Sequence, residues 1–244
     1  MKTGLSPRER ASQVRAMFAR IVPRYDLMNR LMTGGQDARW RRTTVGLAQP
    51  LDAFILDLAT GTGDVALELL RQGARGVVGA DYSEPMLRAA AAKLAERGAA
   101  QISLLAADAL ALPFNEGTFD SITSAFLLRN VVDLPGALVE MRRVLRSGGR
   151  AVALELTHIR PGIRASLFEA YLQQVVPRLG GLIAGDSAAY RYLPTSLDPF
   201  PDAELLESMF REAGFGSVSY RLVGFGALAI HVGVKPDHED APRQ

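Results

Sequence analysis

The central part of the chain, residues 54–156, alternates between short apolar runs and stretches with helical spacing of apolar residues. The apolar runs read FILDLA, GVVGA, QISLLAA, FDSITSAF and RAVALEL. We predict helices between or after them at 64–73, 84–97 and 135–146. Strands that alternate with helices favour a parallel sheet with helices on both faces. Because the runs are almost continuously apolar, we expect strands that are buried on both sides, and therefore an α/β fold.

The last part of the chain adds a predicted helix at 202–213 and two further strands. The strands read SVSYRLV and GALAIHVGV, and the loop between them, 224–226, is short. A short loop of this kind is typical of a β-hairpin, so we expect the last strand to run antiparallel to the others. The sequence therefore predicts a mostly parallel sheet of seven strands.

Two regions lie outside this alternation. The N-terminus predicts helices at 8–22 and 37–49, and residues 157–200 predict an insertion with an amphipathic helix that breaks near Pro177. We expect four parts along the chain. They are an N-terminal helical segment that covers the site at 1–49, a core domain at 50–236, the helical insertion at 157–200 within it, and a flexible tail at 237–244.

The composition excludes several classes of protein. The chain has no cysteine, so disulfides and thiolate chemistry are excluded. It has no run of about 18 apolar residues, and its start, MKTGLSPRER, lacks the apolar region of a signal peptide. These features predict a soluble, cytoplasmic protein. The three histidines are isolated in the sequence, so we expect no metal site.

Positive charge is concentrated at the N-terminus. Residues 1–42 hold ten Lys or Arg against three acids, a net charge of +7, whereas the whole chain carries +2. A basic segment attracts an anionic surface, either lipid headgroups or nucleic acid. The alternative is a solvated helix face without a partner.

The stretch DLATGTGDVA, residues 57–66, joins the first predicted strand to the first predicted helix of the sheet. Gly61 and Gly63 fit the G-x-G-x-x-G/A pattern of a dinucleotide-binding turn. Asp57 and Asp64 flank these glycines, and a pyrophosphate is expected to avoid negative charge at this position. S-adenosylmethionine has a positive sulfonium and no phosphate. The two acids therefore favour it over NAD, with an NAD(P)-dependent oxidoreductase as the alternative.

Two further acids follow predicted strands. Asp81 ends the second strand and Asp108 follows the third. Ligands of open α/β sheets bind beyond the carboxyl ends of the strands, so we expect both acids near the cofactor. Asp81 suits ribose hydroxyls in either cofactor, and Asp108 suits the adenine amino group. Each acid could instead be an exposed loop residue or a helix cap.

Four separated stretches resemble the menaquinone/ubiquinone biosynthesis C-methyltransferases, and the similarity covers roughly residues 14–235. MFARIVPRYDLMNRLMTGG with the following RWRR resembles the opening signature of that family. LDLATGTGD and ADYSEPML resemble its cofactor motifs, and DALALPFNEGTFDSITSAFLLRNV resembles the stretch that leads into its Leu-Arg-Asn motif. AYRYLPTSLDPFP resembles its signature inside the insertion.

The resemblance implies a Rossmann-like class I methyltransferase fold and S-adenosylmethionine-dependent C-methylation of a polyprenyl quinol ring. The quinol would be demethylmenaquinol or the benzoquinol of the ubiquinone pathway, and a methyltransferase for another small or lipid-like acceptor stays open. Ala125 stands where the family often has a serine, and Leu127 replaces the usual glycine before Leu-Arg-Asn. The expected cofactor-binding residues are Asp57, Gly61, Thr62, Gly63, Asp81, Tyr82, Asp108, Ala109 and Ala125.

Ring methylation requires a stabilised phenolate, and we expect Arg129, Asn130 and Tyr25 to be the catalytic residues. Arg129 and Asn130 follow the fourth predicted strand, where a guanidinium and an amide can hold a quinol oxygen. Tyr25 completes this group if the N-terminal helices fold over the pocket. Arg129 could instead form a salt bridge to Asp133 or another nearby acid.

Two residues are lower-ranked candidates for a general base, Asp26 and His231. His231 alternates with apolar neighbours in a predicted strand, which is more typical of a histidine in the core. The apolar stripe at 167–183 either lines a channel for the isoprenoid tail or packs on the sheet, and residues 190–192 have the mixed character of a pocket rim. We expect transient contact with the inner face of the membrane and no nucleic acid partner, and we consider a homodimer.

Overall fold

The computed structural model describes residues 7–184 and 186–237, so the predicted tail lies outside the described residues except for Asp237. The helices before the insertion are α1 (Pro7–Ile21), α2 (Tyr25–Met32), α3 (Asp37–Leu47), α4 (Asp64–Arg71), α5 (Glu84–Glu96) and α6 (Leu134–Val144). Those that follow are α7 (Ile163–Ala170), α8 (Val176–Leu179), α9 (Ser187–Leu197) and α10 (Ala203–Glu212). The strands are β1 (Phe54–Leu58), β2 (Gly76–Asp81), β3 (Ile102–Ala106), β4 (Phe119–Ala125), β5 (Leu145–Leu156), β6 (Ser217–Val223) and β7 (Leu228–Val234).

The seven strands form one sheet in the order β3-β2-β1-β4-β5-β7-β6. The pairs among β1 to β5 are parallel. β7 runs antiparallel to both of its neighbours, β5 and β6. This confirms the predicted mostly parallel sheet, its antiparallel last strand and the hairpin. The strand order reverses between β1 and β4, and α/β sheets bind ligands at such a switch point.

Burial of both faces explains why the central strands are continuously apolar. Ile55 and Leu56 are fully buried but belong to different core clusters. Ile55 packs with Leu94 of α5 in one cluster, whereas Leu56 packs with Met141 of α6 and Phe210 of α10 in the other. Since successive side chains of a strand point to opposite faces, both must be apolar when helices cover both faces.

Of the N-terminal helices, α3 packs most closely on the sheet. Its Trp40 shares a cluster with Val152 and Ile230, and Val45 is fully buried in the core beneath α4. The helix α2 was not predicted from the sequence. It has only eight residues, about two turns, so its apolar spacing is too short to identify a helix with certainty from the sequence.

The insertion is helical over most of its length. Two π-helical segments, Tyr171–Val175 and Gly180–Ala184, connect its α-helices. Near Pro177, where the sequence predicts a break, the π-helical segment Tyr171–Val175 ends and α8 begins, with Pro177 in its first turn, where a missing N–H is tolerated. The four-part division of the chain stays a prediction. Within the described ranges, no helix combines the length and the apolar character that crossing a membrane requires.

Candidate active site

A cavity of about 170 Å³ opens at the carboxyl ends of β1, β2 and β4, next to the switch point. We call it the strand-end cavity. Phe18 of α1 and Tyr25 of α2 close it from the N-terminal side. The predicted cofactor residues that line it are Gly61, Asp81, Tyr82, Asp108, Ala109 and Ala125. Asp57, Thr62 and Gly63 lie beside it without lining it.

The turn after β1 depends on residues with positive φ. Ala59, Gly61 and Gly63 have φ angles of 58°, 56° and 87°. Glycine adopts such angles freely, whereas alanine at this angle stores backbone strain of the kind found at functional sites. The N–H of Gly61 donates a hydrogen bond of 2.9 Å to Oδ2 of Asp81, which ties the turn to the end of β2.

Asp81 lies between two backbone donors at the wall of the strand-end cavity. Besides the Gly61 bond, its Oδ1 accepts a hydrogen bond of 2.8 Å from the N–H of Ser83. Burial raises the pKa of this carboxyl, and the backbone hydrogen bonds lower it. A carboxylate oxygen has two acceptor positions, so Asp81 can still accept hydroxyl donors from a ligand.

Asp57 supports the turn from below. Its side chain is 1% exposed, and it accepts hydrogen bonds from the hydroxyls of Thr60 (2.7 Å) and Thr123 (2.9 Å). Burial raises the pKa of Asp57 to about 7, and the two hydroxyls lower it. Asp57 therefore holds the turn in place, and its predicted role as a direct cofactor contact stays a prediction.

Asp64, the first residue of α4, belongs to a network of charges. It pairs with Arg41 of α3 at 2.5 Å and with Lys93 of α5 at 2.7 Å. Arg41 also pairs with Asp37, so the network holds three acids against two cations, and the expectation that Asp64 would oppose a phosphate stays a prediction. Lys93 also binds Asp26 of α2 at 2.6 Å, and Asp26 accepts a 2.6 Å hydrogen bond from the Thr62 hydroxyl. Thr62 thus points to the N-terminal helices.

A second cavity of about 140 Å³ lies between the N-terminal helices, the sheet and the insertion. We call it the insertion cavity. Phe18, Tyr25 and Phe126 line both cavities. Its apolar lining includes Met17, Ile21, Met32, Trp40, Leu156, Phe168, Leu172, Val176 and Leu228. Part of the apolar stripe of the insertion thus faces this cavity, and the remainder, such as Leu167, is exposed.

Arg129 forms a buried ion pair with Glu155 of β5. The side chains are 5% and 1% exposed, and Nη1 of Arg129 lies 2.7 Å from Oε2 of Glu155. Asp133 instead caps α6 through the N–H of Gly136. Burial raises the pKa of Glu155, and the charge of Arg129 lowers it. Arg129 also lines the insertion cavity, so the ion pair fixes the position of the guanidinium at the wall of that cavity.

The other two predicted catalytic residues, Asn130 and Tyr25, also line these cavities. Nδ2 of Asn130 donates to the carbonyl of Phe126 at 2.8 Å, and its Oδ1 accepts from the hydroxyl of Tyr192 at 3.1 Å. Asn130 lines the strand-end cavity, and Tyr25 lines both cavities. Burial raises the pKa of the Tyr25 phenol, and its side-chain contact with Asn29 lowers it.

Neither lower-ranked base candidate lines a cavity. Asp26 belongs to the charge network, and His231 is fully buried in β7. The His231 ring stacks against Phe210 and Tyr220, and its Nε2 lies 2.9 Å from the carbonyl oxygen of Ala203. Burial lowers its pKa. His231 is thus a core histidine. Among the described residues, His, Asp and Glu form no group of three or more that could hold a metal ion.

Comparison with known proteins identifies the family. Residues 7–235 match the ubiE/COQ5 methyltransferase family. The chain belongs to this family. The demethylmenaquinone methyltransferase of Thermus thermophilus is 52% identical over 223 residues, which cover 90% of this chain and 100% of that protein. The ubiquinone/menaquinone biosynthesis C-methyltransferase UbiE of Desulfotalea psychrophila is 45% identical and covers 91% and 90% of the two chains.

Solved structures share the architecture of this methyltransferase. A SAM-dependent methyltransferase from Thermotoga maritima superposes with a TM-score of 0.64 and covers 91% of this chain and 99% of that one. At 20% identity this likeness shows the fold alone. Together with the family, it confirms the predicted class I methyltransferase fold and S-adenosylmethionine as the cofactor.

The strand-end cavity fits this cofactor. Asp81 offers acceptor positions for ribose hydroxyls, and the exposed Asp108 lies at the wall where an adenine amino group would need an acceptor. The hydroxyl of Ser83 lines the cavity, is buried, and has no partner within the described part of the chain. A ligand that brings its own donors and acceptors satisfies such a group.

Sequence reasoning missed two residues of the site, Glu155 and Ser83. Glu155 is a lone acid within the apolar run RAVALEL. A buried carboxylate needs a partner, so this lone acid could have indicated a buried cation nearby. Ser83 carries no comparable signal, because serine after a strand is common in turns.

Proposed function

We propose that this methyltransferase transfers a methyl group from S-adenosylmethionine to a ring carbon of a polyprenyl quinol, with demethylmenaquinol as the preferred acceptor. The observation that carries this proposal is the pair of adjoining cavities that share Phe18, Tyr25 and Phe126. The strand-end cavity offers carboxylates and backbone groups, and the insertion cavity offers mostly apolar walls with the guanidiniums of Arg41 and Arg129 and the carboxylate of Asp37. The Thermus relative is named a demethylmenaquinone methyltransferase, which supports a naphthoquinol ring as the acceptor.

Bound S-adenosylmethionine supplies an electrophilic methyl group on a positive sulfur. A ring carbon attacks such a methyl group best when the neighbouring hydroxyl is ionised. The positive guanidinium of Arg129 stabilises the oxygen as negative charge develops there. The Glu155 ion pair fixes the guanidinium before the ring arrives, which avoids reorganisation during the reaction.

Tyr25 and Asn130 assist at the boundary between the two cavities. The Tyr25 phenol stays protonated because burial raises its pKa, so it donates a hydrogen bond to a ring oxygen. The two bonds of Asn130 to Phe126 and Tyr192 leave one amide N–H for the reacting ring. Alignment of ring and methyl group by such contacts can lower the barrier by about 7–11 kcal/mol.

The acceptor has an isoprenoid tail, so the enzyme must meet a bilayer. We assign this transient contact to the N-terminal segment, where the exposed Arg30 lies beside Leu27 and Leu31, both 47% exposed. Other arginines of the segment are engaged within the protein, such as Arg20 with Asp186. A test is flotation with vesicles of phosphatidylcholine with and without phosphatidylglycerol. We expect binding to the anionic vesicles alone and its loss at high salt. Binding to neither kind would contradict this contact.

Methyl transfer tests the function directly. Purified protein and S-adenosylmethionine are incubated with short-chain demethylmenaquinol or with the benzoquinol of the ubiquinone pathway, and products are identified by mass spectrometry. We expect ring-methylated product with a preference for the naphthoquinol. Product from the benzoquinol alone would overturn the choice of ring. If neither quinol were methylated although the cofactor binds, the acceptor class itself would be wrong.

A further inference from the structure

The hydroxyl of Tyr190 is buried in the insertion cavity without a hydrogen-bond partner. Tyr190 is 3% exposed, and no other described residue bonds to its Oη. The two other tyrosines that the insertion contributes to this cavity each donate a hydrogen bond. Tyr171 donates to the carbonyl of Met32 at 2.6 Å, and Tyr192 donates to Asn130. A buried hydroxyl without a partner is costly, and a ligand can supply the missing bond.

The fold holds the Tyr190 ring in place with a glycine. A Cβ atom on Gly180 would overlap Cγ and Cδ2 of Tyr190, so the ring lies directly on the backbone of Gly180. Gly180 begins the π-helical segment Gly180–Ala184, and π turns are frequent at functional sites. Glycine within a helix reduces the stability of the helix. At position 180 it also leaves the space that the Tyr190 ring occupies.

The insertion cavity has two buried polar atoms without a hydrogen-bond partner among the described residues, which is the number of oxygens on a quinol ring. Of the buried side-chain atoms without a partner in the described part of the chain, only Nε of Arg129 and Oη of Tyr190 belong to residues that line the insertion cavity. Arg129 belongs to the sheet side and Tyr190 to the insertion. A quinol ring carries two oxygens, in para positions.

We propose that Tyr190 binds the ring oxygen para to the one that Arg129 stabilises, and thereby sets the orientation of the quinol. This inference rests on the proposed function. Burial raises the pKa of Tyr190 to about 12, so the phenol is a donor at neutral pH. With both oxygens held, the ring has one orientation in which its unsubstituted carbon faces the methyl group. Tyr190 is thus a substrate-orienting residue.

Trp40 provides a readout that does not depend on turnover. It is the single tryptophan of the chain and lies in the wall of the insertion cavity. Its fluorescence is followed while S-adenosylhomocysteine-loaded protein is titrated with a short-chain 1,4-naphthoquinol or with the matching 1-naphthol, which lacks the second hydroxyl. We expect Tyr190→Phe to weaken binding of the quinol about 10-fold and to leave binding of the naphthol unchanged.

Two further variants sharpen the comparison. Tyr220→Phe makes the same chemical change on β6, outside both cavities, and should bind both ligands as the wild type does. Gly180→Ala displaces the Tyr190 ring and should also reduce the preference for the quinol over the naphthol.

The outcomes separate the two proposals. Equal quinol binding by wild type and Tyr190→Phe, or an equal loss for both ligands, would overturn the role of Tyr190. Failure of the wild type to bind either ligand would overturn the proposed function, and the inference with it.

Discussion

At the scale of single residues, Asp81 and Arg129 serve the two cavities separately. Asp81 lines the strand-end cavity and accepts a hydrogen bond from Gly61 in the turn after β1. Arg129 lines the insertion cavity and forms an ion pair with Glu155. Substitution of each should therefore affect a different step, cofactor binding in the first case and turnover in the second.

We expect Asp81→Ala to weaken binding of S-adenosylhomocysteine by about 10- to 100-fold, because hydrogen bonds to a charged group are lost. Isothermal titration calorimetry measures this affinity. Arg129→Ala, measured in the same way, serves as the comparison, since Arg129 does not line the strand-end cavity. Unchanged affinity in Asp81→Ala would show that Asp81 does not bind the cofactor.

Arg129→Ala should lower kcat about 10²- to 10³-fold, the effect of losing one preorganised group at a developing oxyanion, with cofactor affinity preserved. The variant leaves Glu155 buried without its cation, which destabilises the fold. The double variant Arg129→Ala/Glu155→Gln removes that charge and separates lost turnover from lost stability. Wild-type turnover in the double variant would refute the catalytic role.

Asp57 should make stability depend on pH. Burial raises its pKa from 3.8 to about 7. The stability that Asp57 gives the fold is therefore complete below pH 3.8, where the carboxyl is protonated, and is lost as the pH rises toward 7. Asp57→Asn lacks this ionisation and can still bond to Thr60 and Thr123. Between these pH values, we expect the free energy of unfolding in urea to rise for the variant relative to the wild type, by at most about 1.4 kcal/mol per pH unit. A constant difference would contradict the raised pKa.

At the scale of helices and strands, the charge network of Asp26, Arg41, Asp64 and Lys93 joins α2 and α3 to α4 and α5. Lys93→Met removes its central cation. We expect faster hydrogen exchange of α2 and unchanged exchange in β1 and β4, because the sheet does not depend on this residue. Hydrogen exchange with mass spectrometry measures both. Unchanged exchange in α2 would show that packing alone holds the helix.

Helices and strands with a long, regular pattern of apolar residues were predicted well from the sequence, and short or irregular elements were not. The strands β1, β2, β4 and β5 stand out because burial on both faces makes them largely apolar. The edge strand β3 is apolar in sequence although it is only partly buried. α2 was missed because it has only eight residues, which is too few for a repeated apolar pattern. The π-helical segments on either side of α8 were not predicted, because Pro177 indicates an interruption of the α-helix but not the geometry that replaces it.

The site was predictable in its location but not in its pairings. Strand ends and glycines placed Gly61, Asp81 and Asp108 at the strand-end cavity. The partners of Asp64 and Arg129 come from residues 23 to 29 positions away, and no local pattern reports such pairs. The charge argument at Asp64 could not include these partners, and the cofactor that it favoured is confirmed by the family.

At the scale of the whole molecule, α3 is part of the sheet core. Trp40, Val45 and Ala48 are each at most 9% exposed, and the hydroxyl of Ser121 in β4 donates to the carbonyl of Ala48 at 2.7 Å. A boundary at residue 49 would separate these contacts from the sheet that they cover.

Truncation tests that boundary. We expect a chain that begins at Gln36 to unfold cooperatively, and a chain that begins at Leu51 to lose about 5 kcal/mol of apolar burial and its cooperative transition. Thermal unfolding followed by circular dichroism distinguishes them. A cooperative transition of the shorter chain would support residues 1–49 as a separate segment.

The wall that Phe18 and Tyr25 contribute to both cavities links the two ligands energetically. In the proposed function, donor and acceptor both contact these two helices, so the ligand that binds first and orders them lowers the entropic cost of binding for the second. We therefore expect heterotropic cooperativity between donor and acceptor, in which each tightens the other by the same factor. Loss of the demethylated donor after transfer would then weaken binding of the methylated quinol and promote its release.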